Sequence, residues 1–122
     1  TDSIMGENKT VPQKDIAKVI DMDCKFILTA SISEIDKQKM YKQLFKQLTY
    51  NYNLAVKSNL KIADEVCKQI EEVLYKNRSL WKKSKYISFQ RKLGYYLISG
   101  YPVLYKKVYR LYSYSTRRKS NE

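Results

Sequence analysis

Residues 60–75 read LKIADEVCKQIEEVLY, and this stretch decides the fold of the 122-residue chain. Its apolar positions recur at the spacing of one helical face, at Ile62, Val66, Ile70, Val73 and Leu74. Asn59 or Ser58 stands just ahead as a candidate N-cap, and acids in the first turn suit the positive end of the helix dipole. The stretch therefore predicts an amphipathic helix around which the rest of the chain packs.

Four other segments show helical spacing or helix-capping residues. They run from Gln13 to about Met22, from Ser31 or Ser33 to about Tyr52, from a Ser84 cap through Lys85 to about Ile98, and from Pro102 to Tyr112. Their apolar faces predict a set of inward side chains: Ile16, Val19, Ile20, Met40, Leu44, Phe45, Leu48, Tyr86, Phe89, Leu93, Tyr96, Leu97, Leu104, Val108, Leu111 and Tyr112. Gly100 suits a left-handed C-cap between the last two helices.

Residues 24–32, CKFILTASI, fit a short strand or a buried helical turn. A lone strand has no partner in the chain, so a helix or an extended linker is favoured. We expect an all-α fold, a compact bundle of four to five helices with short loops. Residues 1–12 are expected to be a disordered leader, 13–112 the bundle, and 113–122 a basic flexible tail. Because the chain begins at Thr1, we expect it to be a fragment.

The positive charge of the chain is unevenly distributed. Residues 1–75 carry 11 Lys or Arg and 11 Asp or Glu, whereas residues 76–122 carry 13 Lys or Arg and only Glu122 as an acid. The net charge of +12 therefore lies in the C-terminal part and predicts an acidic partner, which is nucleic acid, an acidic protein surface or anionic lipid. An A/T-rich genome is an alternative source of the bias, because 19 of the 24 basic residues are lysine and tyrosine occurs 12 times.

Several patterns that are common at catalytic and metal sites are missing. The chain has no histidine and no glycine-rich phosphate loop, and its two cysteines, Cys24 and Cys67, give neither a disulfide framework nor a metal-binding spacing. Cys67 fits a small buried side chain and Trp81 a buried loop anchor. The longest uncharged run, Leu93 to Tyr105, is too short and too broken to span a bilayer. We expect no enzymatic activity, no cofactor, no metal and no membrane span, and a nuclear or cytoplasmic location.

Several residues follow one another in an order that one family shares. A basic-apolar helix covers 37–48, Ile70-Glu71-Glu72 lies in the next helix, and then come Tyr86, Arg91, Leu97, Pro102-Val103-Leu104 and Val108. Over residues 37–110 the chain thereby resembles the central helical domain of the transcription elongation factor S-II family. It departs from that pattern at 96–98, where Tyr-Leu-Ile replaces Asn-Leu-Lys. The resemblance implies a helical bundle that docks on RNA polymerase through a basic face and has no cleavage activity, because the family's zinc ribbon is missing.

Three functional hypotheses follow. The first is a transcription-associated module that contacts RNA polymerase or a similar acidic surface through Lys82, Lys83, Lys85, Arg91, Lys92, Lys106, Lys107 and Arg110. The second is a DNA or RNA binder in which those cations contact phosphates, with bases stacking on exposed members of Tyr95, Tyr101, Tyr105, Tyr109 and Tyr114. The third is a helical adaptor that holds a partner helix or peptide in a groove.

Overall fold

A computed structural model describes residues 13–58 and 61–120, with 113–120 described by their backbone alone. Six helices form in these residues: α1 Ile16–Thr29, α2 Glu34–Lys57, α3 Lys61–Lys76, α4 Arg78–Lys82, α5 Phe89–Gly100 and α6 Pro102–Ser120. No strand forms among them, so the all-α prediction is confirmed. The predicted count of four to five is too low because the short helix α4 replaces an expected loop. The predicted leader, 1–12, lies outside the described residues.

Helix α1 is longer than the sequence pattern predicts. Cys24 and Ile27 are buried with Ile16 and Ile20, because they continue the same helical face at spacings of four and three. The ambiguous stretch that begins at Cys24 is therefore helical as far as Thr29, and the predicted helix end at Met22 is wrong. Val19, predicted to face inward, is exposed.

Helix α2 begins where Ser33 caps it, since the Ser33 hydroxyl accepts a hydrogen bond from the Asp36 N–H at 3.2 Å. Phe45 and Leu48 are buried as predicted, but Met40 is exposed and its neighbour Tyr41 is buried. Leu44 is partly buried. The buried face thus lies one position away from the predicted face at its N-terminal end.

The predicted end of α2 near Tyr52 is wrong. The polar side chains near Tyr52 find hydrogen-bond partners inside the fold, so the helix continues to Lys57. The Asn51 side chain accepts a bond from the Gln13 N–H at 3.0 Å and donates to the Gln47 carbonyl. The Tyr52 hydroxyl donates to Glu71 of α3 at 2.6 Å.

Helix α3 lies at the centre of the bundle, as predicted. Val66, Ile70 and Leu74 are buried, and Ile62 and Val73 pack against the core at its edge. The helix packs against α1, α2 and α5. Burying one such aliphatic side chain contributes about 1.5–3 kcal/mol, so this face contributes a large part of the stability of the fold.

Trp81 connects α4 to the core and confirms the prediction of a buried anchor. It is 2% exposed, and its indole N–H donates to the Leu74 carbonyl at 2.8 Å. Its ring meets the Tyr95 ring edge-on, with centroids 5.8 Å apart. This contact joins α3, α4 and α5.

Helix α5 begins four residues later than predicted, and the face that it buries is not the predicted one. Ser88 is its cap, accepting from the Arg91 N–H at 3.3 Å, whereas Ser84 is buried and accepts from the N–H of Tyr86. Tyr95 and Ile98 face the core. Of the side chains predicted to face inward, only Leu97 is partly buried. The others are exposed: Tyr86, Phe89, Leu93 and Tyr96. Both faces of α5 carry large apolar residues, so periodicity alone does not select the buried one.

The predicted left-handed cap at Gly100 is wrong. Gly100 is the last residue of α5, and no glycine in the described residues has a positive φ. Tyr101 is the C-cap instead, with φ −135° and ψ 60°, and Pro102 opens α6 as expected.

Helix α6 packs on α5 and α2 through residues that the sequence pattern assigns to its outer side. Tyr105 and Tyr109 lie against the core, so the prediction that Leu104, Val108, Leu111 and Tyr112 face inward is wrong. No glycine or proline interrupts 103–120, and the helix continues to Ser120 instead of ending at Tyr112.

A polar contact joins the middle of α1 to the end of α3. The Asp21 carboxylate accepts from the Lys76 ammonium at 3.1 Å and from the Asn77 side-chain amide at 3.2 Å, and Lys25 lies 3.4 Å away. Burial alone would raise the pKa of Asp21, but the hydrogen bonds from Asn77 and Lys76 and the nearby positive charges lower it. The carboxylate form is therefore favoured by the fold.

We predict that Asp21→Asn lowers the free energy of unfolding by about 1–2 kcal/mol at pH 7. A lowered folded-state pKa gives stability that is present above the ordinary value of 3.8 and is lost as pH falls through the folded-state pKa. Urea unfolding of both proteins from pH 7 to pH 3 should show the difference shrinking below about pH 4. If the difference in the free energy of unfolding between the two proteins did not change with pH, the stabilising role of the Asp21 charge would be contradicted.

Candidate functional site

The eight predicted partner-binding cations lie on four successive parts of the chain. Lys82 ends α4, Lys83 and Lys85 lie in the loop that follows, and Arg91 and Lys92 lie in the first turns of α5. The other three, on α6, are Lys106, Lys107 and Arg110. All except Lys92 and Lys106 are exposed.

The structure brings Lys92 onto the end of α4. Its ammonium donates to the Lys82 carbonyl at 3.0 Å, so four lysines gather at this turn. We call them the α4–α5 lysine cluster: Lys82, Lys83, Lys85 and Lys92. Among the described residues none of the four forms an ion pair with an acid, so the cluster presents its positive charge to solvent.

Lys106 differs from the other predicted cations because its charge is engaged within the fold. It is 25% exposed, its ammonium lies 3.7 Å from Glu71 Oε2, and it lies 6.0 Å from the centroid of the Tyr52 ring. Burial and the hydrogen bond to Glu71 together raise the pKa of the Tyr52 hydroxyl. The arrangement holds α2, α3 and α6 together, and residue types alone do not reveal it.

Large apolar side chains are exposed on α5 and α6, the helices that also carry five of the predicted cations, and the sequence pattern did not identify them as surface residues. Phe89 is 80% exposed, and Leu111 and Tyr112 are 70% exposed. The full set, which we call the C-terminal apolar surface, is Phe89, Leu93, Tyr96, Val103, Leu104, Val108, Leu111 and Tyr112. Large exposed apolar patches mark interaction sites more often than scattered residues do. The sequence gives one indication of this surface, which is that both α5 and α6 carry apolar residues on more than one face.

The tyrosines proposed to stack on bases are mostly not available for stacking. Tyr95 is buried, and Tyr105 and Tyr109 are partly buried and stack on each other, with centroids 6.1 Å apart. Tyr101 is exposed. Tyr114 lies among the residues described by their backbone alone, so the prediction is not tested there.

A groove between α1 and α2 bears on the adaptor hypothesis. Its volume is about 450 Å³, and Phe26, Ile27, Met40 and Leu44 form its apolar lining. Of these residues Phe26 is the most exposed, at 74%. The groove lies in the half of the chain whose charges balance, away from the predicted cations.

The two thiols are placed to pack, not to react. Cys24 and Cys67 are free and buried, and burial raises their pKa values to about 12 and about 11. The prediction of Cys67 as a small buried side chain is confirmed. Within the described ranges, no group of three or more Cys, Asp or Glu side chains is close enough to hold a metal ion.

None of the helices described here has the length and apolarity needed to cross a membrane.

Comparisons with protein-family models, with curated proteins and with solved structures find no match for the chain.

We predict that Cys24 and Cys67 react with the disulfide reagent DTNB at pH 8 at least roughly a hundredfold more slowly in the native protein than in urea. The reason is that burial both blocks access and disfavours the thiolate. The protein in urea is the control, in which both thiols should titrate rapidly. Equal rates in the two conditions would contradict the buried placement.

Proposed function

We propose that this chain is a non-enzymatic helical binding module that docks onto an acidic protein surface through the cations and the apolar side chains of its C-terminal half. The observation that carries the proposal is the combination of two features in the segment from α4 to α6. Among the described residues, the α4–α5 lysine cluster, Arg91, Lys107 and Arg110 form no ion pair with an acid. The C-terminal apolar surface lies on α5 and α6, the helices that carry Arg91, Lys92, Lys107 and Arg110.

The C-terminal apolar surface favours a protein over a nucleic acid as the binding partner. Protein interfaces have a core of aromatic and aliphatic residues inside a polar rim, whereas nucleic-acid interfaces are more polar and more strongly positive. Phe89, Leu93 and Leu104 have no role on a phosphate backbone but suit the centre of a protein interface. The surrounding cations would speed association with an acidic surface and orient it.

The resemblance to the S-II family supports RNA polymerase, or another part of the transcription machinery, as the acidic partner. Several residues that carry the resemblance have exposed side chains that a partner can touch: Tyr86, Arg91, Val103, Leu104 and Val108. This assignment also supports a nuclear or cytoplasmic location. Docking, without cleavage chemistry of its own, is the role we assign.

Nucleic-acid binding is the second candidate, and the net charge of +12 favours it. In the predicted form it combines cations with exposed stacking tyrosines; Tyr101 is exposed, but Tyr95 is too deeply buried to stack on a base. A helical adaptor that uses the groove between α1 and α2 is the third candidate, favoured by the apolar lining of that groove.

We predict that replacing Lys82, Lys83 and Lys85 together with Glu weakens binding to purified RNA polymerase by about tenfold or more at low salt, since it reverses the charge that faces the acidic partner. Surface-immobilised polymerase and a concentration series of each protein would measure the change. A matched control replaces three exposed lysines of α1, α2 and α3 with Glu: Lys18, Lys46 and Lys61.

The control variant should bind like the wild type. An equal loss in both variants would indicate nonspecific attraction, and no loss in the first would exclude the lysine cluster as the docking surface. Titration with a short DNA duplex and with single-stranded DNA at about 50 mM salt separates the second candidate, which requires micromolar affinity under those conditions.

A further inference from the structure

A pocket lies where α3 and α5 end, beside the short helix α4. Of the eight predicted binding residues, only Lys82 lines it. Its volume is about 290 Å³, and its walls include four aromatic side chains and two cations: Tyr75, Arg78, Trp81, Lys82, Tyr96 and Tyr101. None of the residues that line it is an acid. Its chemistry therefore combines aromatic surface with positive charge.

The Arg78 side chain is held in place before any ligand arrives. Its guanidinium carbon lies 4.2 Å from the centroid of the Tyr75 ring, and its Nη1 donates to the Tyr75 carbonyl at 2.9 Å. A guanidinium has five N–H donors, and this bond uses one of them. The fixed group can therefore accept a carboxylate with little further loss of side-chain freedom.

Aromatic side chains line both the inner and the outer part of the pocket. The rings of Tyr96 and Tyr101 lie 5.8 Å apart, and both side chains are about half exposed. Trp81 is buried but still contributes to the lining, with the Lys82 ammonium 5.9 Å from its ring centroid. The buried indole forms the inner part of the pocket, and the two tyrosines lie nearer to solvent.

We propose that this pocket receives one aromatic side chain of the acidic partner, while carboxylates beside that residue pair with Arg78 and Lys82. The inference rests on the proposed function and names the feature that the partner must carry, an acidic segment with an aromatic anchor. Aromatic anchors that fill pockets supply much of the affinity of protein interfaces. Arginine pairs well with carboxylates because its donors match their two oxygens.

The size of the pocket favours a single side chain over a nucleotide. Sites for small molecules and cofactors span roughly 300–1,000 Å³, and this pocket, at about 290 Å³, is at the small end of that range. Two helices, α3 and α5, also end here, and the partial negative charge of helix C-termini disfavours a phosphate inside the pocket. Carboxylates at the rim of the pocket, beside Arg78 and Lys82, avoid this repulsion from the helix ends.

Trp81 is the only tryptophan of the chain, so its fluorescence reports on the pocket directly. The probes are a short peptide of aspartates and glutamates around one phenylalanine, the same peptide with alanine in place of phenylalanine, and AMP. We expect a saturable change in emission with the phenylalanine peptide and about tenfold weaker binding of the alanine peptide. AMP should bind no better than the alanine peptide.

The double substitution Tyr96→Ala and Tyr101→Ala should remove the preference for phenylalanine. Both side chains are half exposed, so the thermal unfolding midpoint should stay close to that of the wild type. Phe26→Ala, which removes an exposed ring from α1, is the matched control and should keep the preference.

The possible outcomes distinguish failure of this inference alone from failure of the proposed function. Equal affinity for the two peptides would overturn the aromatic anchor and leave docking by charge intact. Tighter binding of AMP would overturn it in favour of a nucleotide site. Binding of neither peptide would contradict the acidic partner, and therefore both proposals.

Discussion

Burial of one face of α3 is the constraint on which the rest of the structure depends. Val66, Ile70 and Leu74 are at most 1% exposed, and α1, α2 and α5 each pack against this helix. Truncating one such residue to alanine costs about 2–5 kcal/mol, compared with a total stability of about 5–15 kcal/mol for a domain of this kind. The Leu74 carbonyl also binds the Trp81 indole, so the same helix fixes α4.

The orientation of the surface helices follows from this core. Trp81, Tyr95, Phe45 and Tyr41 form a chain of ring contacts that runs from α4 through α5 into α2. Because Tyr95 faces that chain, Phe89 on the same helix must face outward. Tyr52 and Tyr105 fix α6 in the same way, with ring centroids 5.6 Å apart, and turn Leu104 and Val108 to solvent. The surface that we assign to a partner is thus a consequence of how the core is filled.

Local patterns in the sequence predicted the features that depend on local chemistry. The face of α3, the cap at Ser33, the buried Trp81 and the start of α6 at Pro102 all agree with the structure. Each depends on the residue types and spacing within a few turns. The positive charge of the C-terminal half was equally visible, because it depends on composition alone.

Contacts between distant residues decided what the sequence could not predict. The spacing of Glu72 and Lys76 suggests a pair within α3, but Lys76 binds Asp21 of α1 instead. Lys106 was assigned to a partner and is paired with Glu71. Most of the C-terminal apolar surface was assigned to the core, because a helix that is apolar on two faces gives no local sign of which face is buried.

The most direct test of this account is hydroxyl-radical footprinting of the folded protein, with the rate of modification measured for each side chain. In the structure, α5 and α6 turn Phe89, Leu93 and Tyr112 to solvent, and Trp81 and Tyr95 lie in the core. We predict fast modification of the first three side chains, and slow modification of the other two until the protein unfolds. Fast modification of Trp81 and Tyr95 in the native protein, with Phe89 and Tyr112 protected, would contradict it.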